Sequence, residues 1–281
     1  MAFNCINFIR GALCTLLLAL AFHASAAPSP ASHSIGHDLQ RILERGYLVV
    51  AMPDSNFSPF FFERNGKLMG VDVDMAEGLG KSLGVEVRFV RTAKTFDDAV
   101  GQVVNGEADI AWCKLSRTMK RAKVVNFSTP YLSLNHALAI NRVRLAEMMG
   151  TGTDVSMIAR NYSGTLAVLE GSSWMNYAQQ NFPKATLVQF KNYDEAIKAV
   201  REGRVSALYR DNFEIKRLIK NDPTISLTIR AITFTDLEDT IGVAVRPTDL
   251  QLLAFINIYI EKQPDKLTVD KLLNHFEALL K

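Results

Sequence analysis

From Asp38 onward the apolar positions follow two periods in turn. Asp38 can cap a short helix over 39–45 that Gly46 ends, and 47–52 is an apolar run of strand type. Val71, Met75, Leu79 and Leu83 recur at helical spacing up to Gly84, after which 85–90 alternates as a strand. Thr95 is a good N-cap for a helix through Val104, closed by Asn105-Gly106, and 108–113 reads as a third strand. Helices inserted between short strands imply parallel pairing in an open α/β sheet. The series recurs half a chain later, with strands over 165–169, 185–190, 205–209 and 225–229 and helices over 174–181, 193–201 and 212–220. A strand over 241–245 and helices over 249–260 and 268–280 complete the pattern. Two similar lobes leave a cleft, and ligands of such sheets bind beyond the carboxyl ends of the strands.

The first 30 residues break this pattern. They carry one charged residue, Arg10, then an apolar run from Gly11 to Phe22 closed by Ala24-Ser25-Ala26. A short apolar stretch behind a basic start, with small residues before the break, predicts an export signal (1–26) cleaved after Ala26. The run of about 12 residues is short of the roughly 20 that cross a bilayer. Leu13 stands before Cys14 where a lipid anchor requires a small residue. Residues 27–37, rich in Ala, Pro, Ser and His, read as a flexible leader, and His33 and His37 have no third metal ligand nearby. An exported chain is therefore expected. Composition changes little: 48% apolar and 22% charged residues are ordinary for a globular chain. The net charge of +3 is too small and dispersed for a nucleic-acid partner. With Cys5 and Cys14 in the signal, Cys113 stands alone and is favoured as a small buried strand residue over a nucleophile. No nucleotide-binding glycine loop, metal-ligand cluster or Ser-His-Asp arrangement stands out, so no cofactor and no metal are expected.

The candidate chemistry sits at the strand ends. After the first strand, 53–62 holds Asp54 and the aromatics Phe57, Phe60, Phe61 and Phe62; some must be core, and Phe57 and Phe60 are kept as the cleft candidates. After the third strand, Lys114-Leu115-Ser116-Arg117-Thr118-Met119-Lys120-Arg121 is a hydroxyl-rich turn opening a short basic helix, a combination that suits a carboxylate. In the second lobe Glu170-Gly171-Ser172-Ser173 joins a strand to a helix. Gly171 allows close approach to the backbone, and the serines open a helix whose N-terminus favours an anion. Asp211 ends a strand, where helix capping alone would explain it and a binding role stays open.

This arrangement resembles the bacterial periplasmic solute-binding proteins that deliver amino acids to ABC transporters. The resemblance spans nearly all of 38–281. It is carried by 42–46, Phe57-Ser58-Pro59-Phe60, 65–74, 106–110, 116–121, Asn126-Phe127-Ser128-Thr129-Pro130-Tyr131, 203–205 and 241–245. It implies the type 2 periplasmic-binding fold, with two α/β lobes, each an open mostly parallel sheet flanked by helices, joined by two hinge crossovers near 139–142 and 234–239. The lobes it implies are 38–139 with the return segment 237–281, and 140–236. By the family pattern Arg121 grips a ligand α-carboxylate with help from Ser116, Ser172 and Ser173. Asp211 receives the α-ammonium, and Asp54 and Phe57 close over the ligand. The expected partners are a small carboxylated solute and a membrane ABC transporter permease, with the protein itself a monomer. Departures are Lys114 where a small residue is usual, a heavy Trp112, Ser206 in place of an acid, and a long link over 141–163. Lys114 could meet a ligand carboxylate, pair with Asp54, or lie along the surface.

Two other classes bear weighing. Cyclohexadienyl dehydratases share the scaffold and expel a leaving group with a carboxylic acid, for which Glu238 and Asp239 are the candidates here. A receptor sensor module would be expected to continue into a membrane helix, and none is expected from this sequence.

Overall fold

The computed structural model describes residues 36–149 and 155–280. The expected signal segment 1–26, the leader up to residue 35 with His33, and the middle of the long link lie outside the described residues. Twelve strands occur among the described residues. They are β1 (Tyr47–Pro53), β2 (Phe62–Arg64), β3 (Lys67–Met69), β4 (Glu86–Ala93), β5 (Ile110–Ala111), β6 (Asn126–Phe127) and β7 (Leu132–Asn141). The remainder are β8 (Thr165–Leu169), β9 (Thr186–Phe190), β10 (Ala207–Asp211), β11 (Ile229–Ile241) and β12 (Ala244–Val245).

Two five-stranded sheets result, in the orders β4-β1-β5-β12-β6 and β11-β7-β10-β8-β9. In the first, β1 pairs in parallel with β4 and β5, and β12 returns antiparallel to β5 and β6. In the second, β8 pairs in parallel with β9 and β10, while β7 lies antiparallel to β10 and β11. In each sheet four of the five strands therefore run in one direction, with β12 and β7 reversed, so each is mostly parallel as expected. The parallel pairs come from βαβ units, whereas β7, β11 and β12 belong to the connections between sheets and enter without a crossover helix.

Local chemistry explains the helices that carry the site. Thr95 and Asp98 form a reciprocal capping box at the start of Phe96–Val104. Asn192 and Asp211 cap Tyr193–Arg201 and Asn212–Asn221 by accepting backbone N–H groups with their side chains. Helix Val71–Leu83 starts after Gly70, whose φ of 130° and close approach to the Phe60 carbonyl suit only glycine. Asn65-Gly66, both in the left-handed region, make the tight turn of the β2–β3 hairpin.

Leu48, Val50, Leu79, Ile110 and Ile256 fill the core of the first sheet. The second sheet is covered on both faces, because along β7 Leu138 and Ile140 pack on one side and Ala137 and Ala139 on the other. Leu132 and Leu134 belong to the first core and Leu138 to the second, so β7 passes from one core to the other over 134–138. On β11 the passage falls between Leu237 and Ile241. The expected strand over 225–229 is helical as far as Thr228. Asp222 accepts the N–H groups of Thr224 and Ile225 around Pro223, turning the chain before it extends.

Candidate functional site

The loop after β5 sets the geometry. Lys114 has φ 50°, an unfavourable left-handed conformation for a long side chain, and its N–H donates to Asp72 Oδ2 at 2.6 Å. Asp72 also accepts from Tyr131 Oη at 3.0 Å, and burial pushes its carboxyl up to about 7 despite these donors. So held, Lys114 reaches from the first sheet to the end of β10. Its Nζ meets Asp211 Oδ2 at 2.6 Å, with both side chains almost wholly buried (5% and 0% exposed). Asp211 Oδ1 accepts the Glu214 N–H at 2.9 Å. Burial raises the Asp211 carboxyl, but Lys114 and Arg210 outweigh it and hold the group below its ordinary value.

Two residues on, Ser116 Oγ donates to Asp239 Oδ2 at 2.8 Å and lies 2.8 Å from Ser173 Oγ, from which it accepts. Tyr177 Oη donates to Asp239 Oδ1 at 2.9 Å. Burial pushes Asp239 up to about 6, against Ser116, Lys114 and Tyr177. Arg121 sits on the short helix Met119–Ala122, which Thr118 caps. Its buried guanidinium donates from Nε to Asp97 Oδ1 at 2.9 Å and from Nη1 to the Ser116 carbonyl at 3.1 Å, while Nη2 makes no hydrogen bond among the described residues.

These groups surround a narrow, nearly filled cavity lined by Phe57, Phe96, Lys114, Ser116, Arg121, Ser172, Ser173, Trp174, Arg210 and Asp239. A wider cleft shares Phe57, Phe96 and Ser172 with it and opens outward past Lys94, Lys191 and Arg217. Six of the nine residues singled out from sequence line the inner cavity: Phe57, Lys114, Ser116, Arg121, Ser172 and Ser173. Asp54 is not brought there; it is part-exposed and pairs with Lys94 at 2.5 Å. Gly171, at φ 64°, packs against the Thr95 side chain across the lobes. Asp211 lies behind the wall, screened from it by Lys114. None of the three readings of Lys114 included this pairing.

Sequence reasoning passed over Arg210, Phe96 and Trp174. Arg210 is 2% exposed, and its Nε and Nη2 are buried without a hydrogen-bond partner. Its guanidinium lies 5.5 Å from the Phe57 ring centre and 5.7 Å from that of Trp174. The available signal was an Arg-Asp pair ending a buried strand, of which only the acid was read. Cys113 is fully buried, and that burial pushes its thiol well up, which leaves it inert as a nucleophile. Among the described residues no group of side chains could hold a metal ion, and no helix is long and apolar enough to cross a membrane.

The sequence profile of the bacterial extracellular solute-binding proteins, family 3, matches residues 48–277. ABC transporter arginine-binding protein 1 of Escherichia coli K12 is 25% identical over 194 residues, covering 69% of this chain and 75% of that protein. The glutamine-binding protein of Geobacillus stearothermophilus is 28% identical over 188 residues, covering 66% and 68%. Among solved structures, the amino acid ABC transporter substrate-binding protein AbpA of Streptococcus pneumoniae, bound to L-arginine, is similar with TM-score 0.68 and 26% identity, covering 86% of this chain and 99% of that one. The ancestral amino acid-binding protein AncCDT-1, a precursor of cyclohexadienyl dehydratase, is similar with TM-score 0.64 and 27% identity, covering 85% and 98%.

Proposed function

We propose that the chain, which belongs to the bacterial extracellular solute-binding proteins, family 3, captures an amino acid or similar small carboxylated solute and presents it to a membrane ABC transporter permease. The observation that carries this reading is Arg121, a buried guanidinium with an unused Nη2 facing a cavity whose other wall is the start of helix Ser173–Asn181. A carboxylate there meets a guanidinium from one lobe and helix N–H groups from the other, so one group bridges the cleft. Closure follows, because the ligand gains contacts from both lobes only in the closed arrangement. The lobes in this proposal are the expected ones with the first boundary moved into 134–138. The site residues proposed are the six that line the cavity, joined by Arg210. Export to the periplasm, removal of the signal after Ala26, and a monomeric working form complete the proposal.

A second reading has one observation behind it. Asp239 lies in the cavity with its carboxyl raised to about 6, as a general acid requires, whereas Glu238 is exposed. Both Asp239 oxygens are occupied by hydroxyl donors, which favours a structural or ligand-positioning role over proton transfer. A thermal-shift screen of the purified protein against the common amino acids and small carboxylates, with a parallel assay for prephenate turnover, tests both. Stabilisation without turnover supports the binder; turnover supports the enzyme.

A further inference from the structure

From the pairing of Lys114 with Asp211 and the unpartnered Arg210 in the same cavity, we infer that the ligand is a small dicarboxylate without an α-ammonium group. This inference rests on the binding role proposed above and specifies its ligand. An α-amino acid brings an ammonium that must be accepted by oxygen when it leaves water. The acid placed to do so, Asp211, has both oxygens engaged, Oδ2 by Lys114 Nζ at 2.6 Å and Oδ1 by the Glu214 N–H at 2.9 Å. Lys114 thus supplies from within the chain the cation that a zwitterion would bring. Asp239, the carboxylate that does line the cavity, has its oxygens held by Ser116 and Tyr177. A second ammonium entering here would stand against the Lys114, Arg121 and Arg210 cations.

The donors are in the opposite condition. Arg210 Nε and Nη2 form the edge of the guanidinium that pairs side-on with a carboxylate, and both are buried and unpartnered. The nearest carboxylate oxygen, Glu214 Oε1, is 3.9 Å from Nη2, and the other oxygen of Glu214 is held by Arg217 at 2.6 Å. Arg121 offers Nη2, and helix Ser173–Asn181 begins on the same wall. The free guanidinium edge of Arg210, and Arg121 Nη2 together with the helix N-terminus, match two carboxylates, one at each arginine.

The test is a calorimetric comparison of glutarate, L-glutamate and butyrate on the purified protein. Glutarate is expected to bind at least about tenfold more tightly than L-glutamate, the like charge of the extra ammonium being the cause, and butyrate more weakly than glutarate by a similar factor. Arg210→Met is expected to lower glutarate affinity at least about tenfold more than butyrate affinity; a merely structural Arg210 would weaken both alike. Lys114→Ala is expected to move the glutarate-to-glutamate ratio toward glutamate by about tenfold, because Asp211 is then free for an ammonium. If amino acids bind more tightly than their deaminated counterparts, the inference falls and the binding role stands. If no carboxylate or amino acid binds, the binding role falls with it.

Discussion

Truncating Lys114 to alanine strands a carboxylate. In the intact protein Lys114 Nζ lies 2.6 Å from Asp211 Oδ2, and the two side chains are 5% and 0% exposed, so truncation leaves a buried carboxylate without its cation. Breaking a buried ion pair from one side costs about 3–5 kcal/mol, a large part of the roughly 5–15 kcal/mol that holds a domain folded. Lys114→Gly is expected to cost about 1 kcal/mol less than Lys114→Ala, since the left-handed backbone at φ 50° penalises any side chain there. Adding Asp211→Asn to Lys114→Ala removes the stranded charge and keeps an acceptor for the Glu214 N–H, so most of the loss returns. The pH dependence has a definite sign. With Lys114 present, Asp211 is held below its ordinary pKa, so its contribution is present above that value and lost as pH falls through the folded pKa. Without Lys114 burial dominates, the carboxyl rises, and the deficit of Lys114→Ala shrinks at pH 5 relative to pH 8. Urea unfolding of the four proteins at both pH values measures all of this. A Lys114→Ala stability within about 1 kcal/mol of the parent, or a double variant no more stable than Lys114→Ala, refutes the reasoning.

Other perturbations read different parts of the fold. Asp72, raised to about 7 from 3.8 by burial, binds its proton more tightly when folded, so the stability it contributes falls as pH rises between those values. Asp72→Asn lacks this loss, and its stability relative to the parent is expected to climb by about 4 kcal/mol from pH 4 to pH 8 in urea unfolding; parallel curves would exclude a raised pKa. At Gly70 an added Cβ would meet the Phe60 carbonyl oxygen at 2.4 Å at a φ of 130°, so Gly70→Ala is expected to lower stability. A loss of at least about 2 kcal/mol, read as a lower midpoint in thermal unfolding, is the expected outcome, and an unchanged midpoint contradicts the close approach.

How far the sequence carried the reading depends on whether a feature is local or distant. The capping box at Thr95, the Asp211 cap and the helix over 193–201 are written in adjacent residues and were legible. So were Arg121, Ser116 and the serine pair, because each lies on a strand-to-helix junction where anion chemistry has a recognisable composition. The long β7 and β11 were not read, since their alternation changes partner core midway and neither period persists. The Lys114–Asp211 pair joins residues 97 positions apart through an unusual backbone angle, and nothing local specifies it. Asp54 illustrates the converse: its loop is at the site, but Lys94 holds its carboxylate on the outer surface.

The central claim is that a carboxylate is held between the lobes by Arg121. Calorimetric titration of the best-stabilising carboxylate into the parent protein and into Arg121→Ala, with folding of both checked by circular dichroism, addresses it most directly. A single-site isotherm for the parent and a loss of about 3–5 kcal/mol of binding in the variant, more than a hundredfold in affinity, is the result expected here. Near-unchanged affinity in a folded Arg121→Ala protein would contradict it.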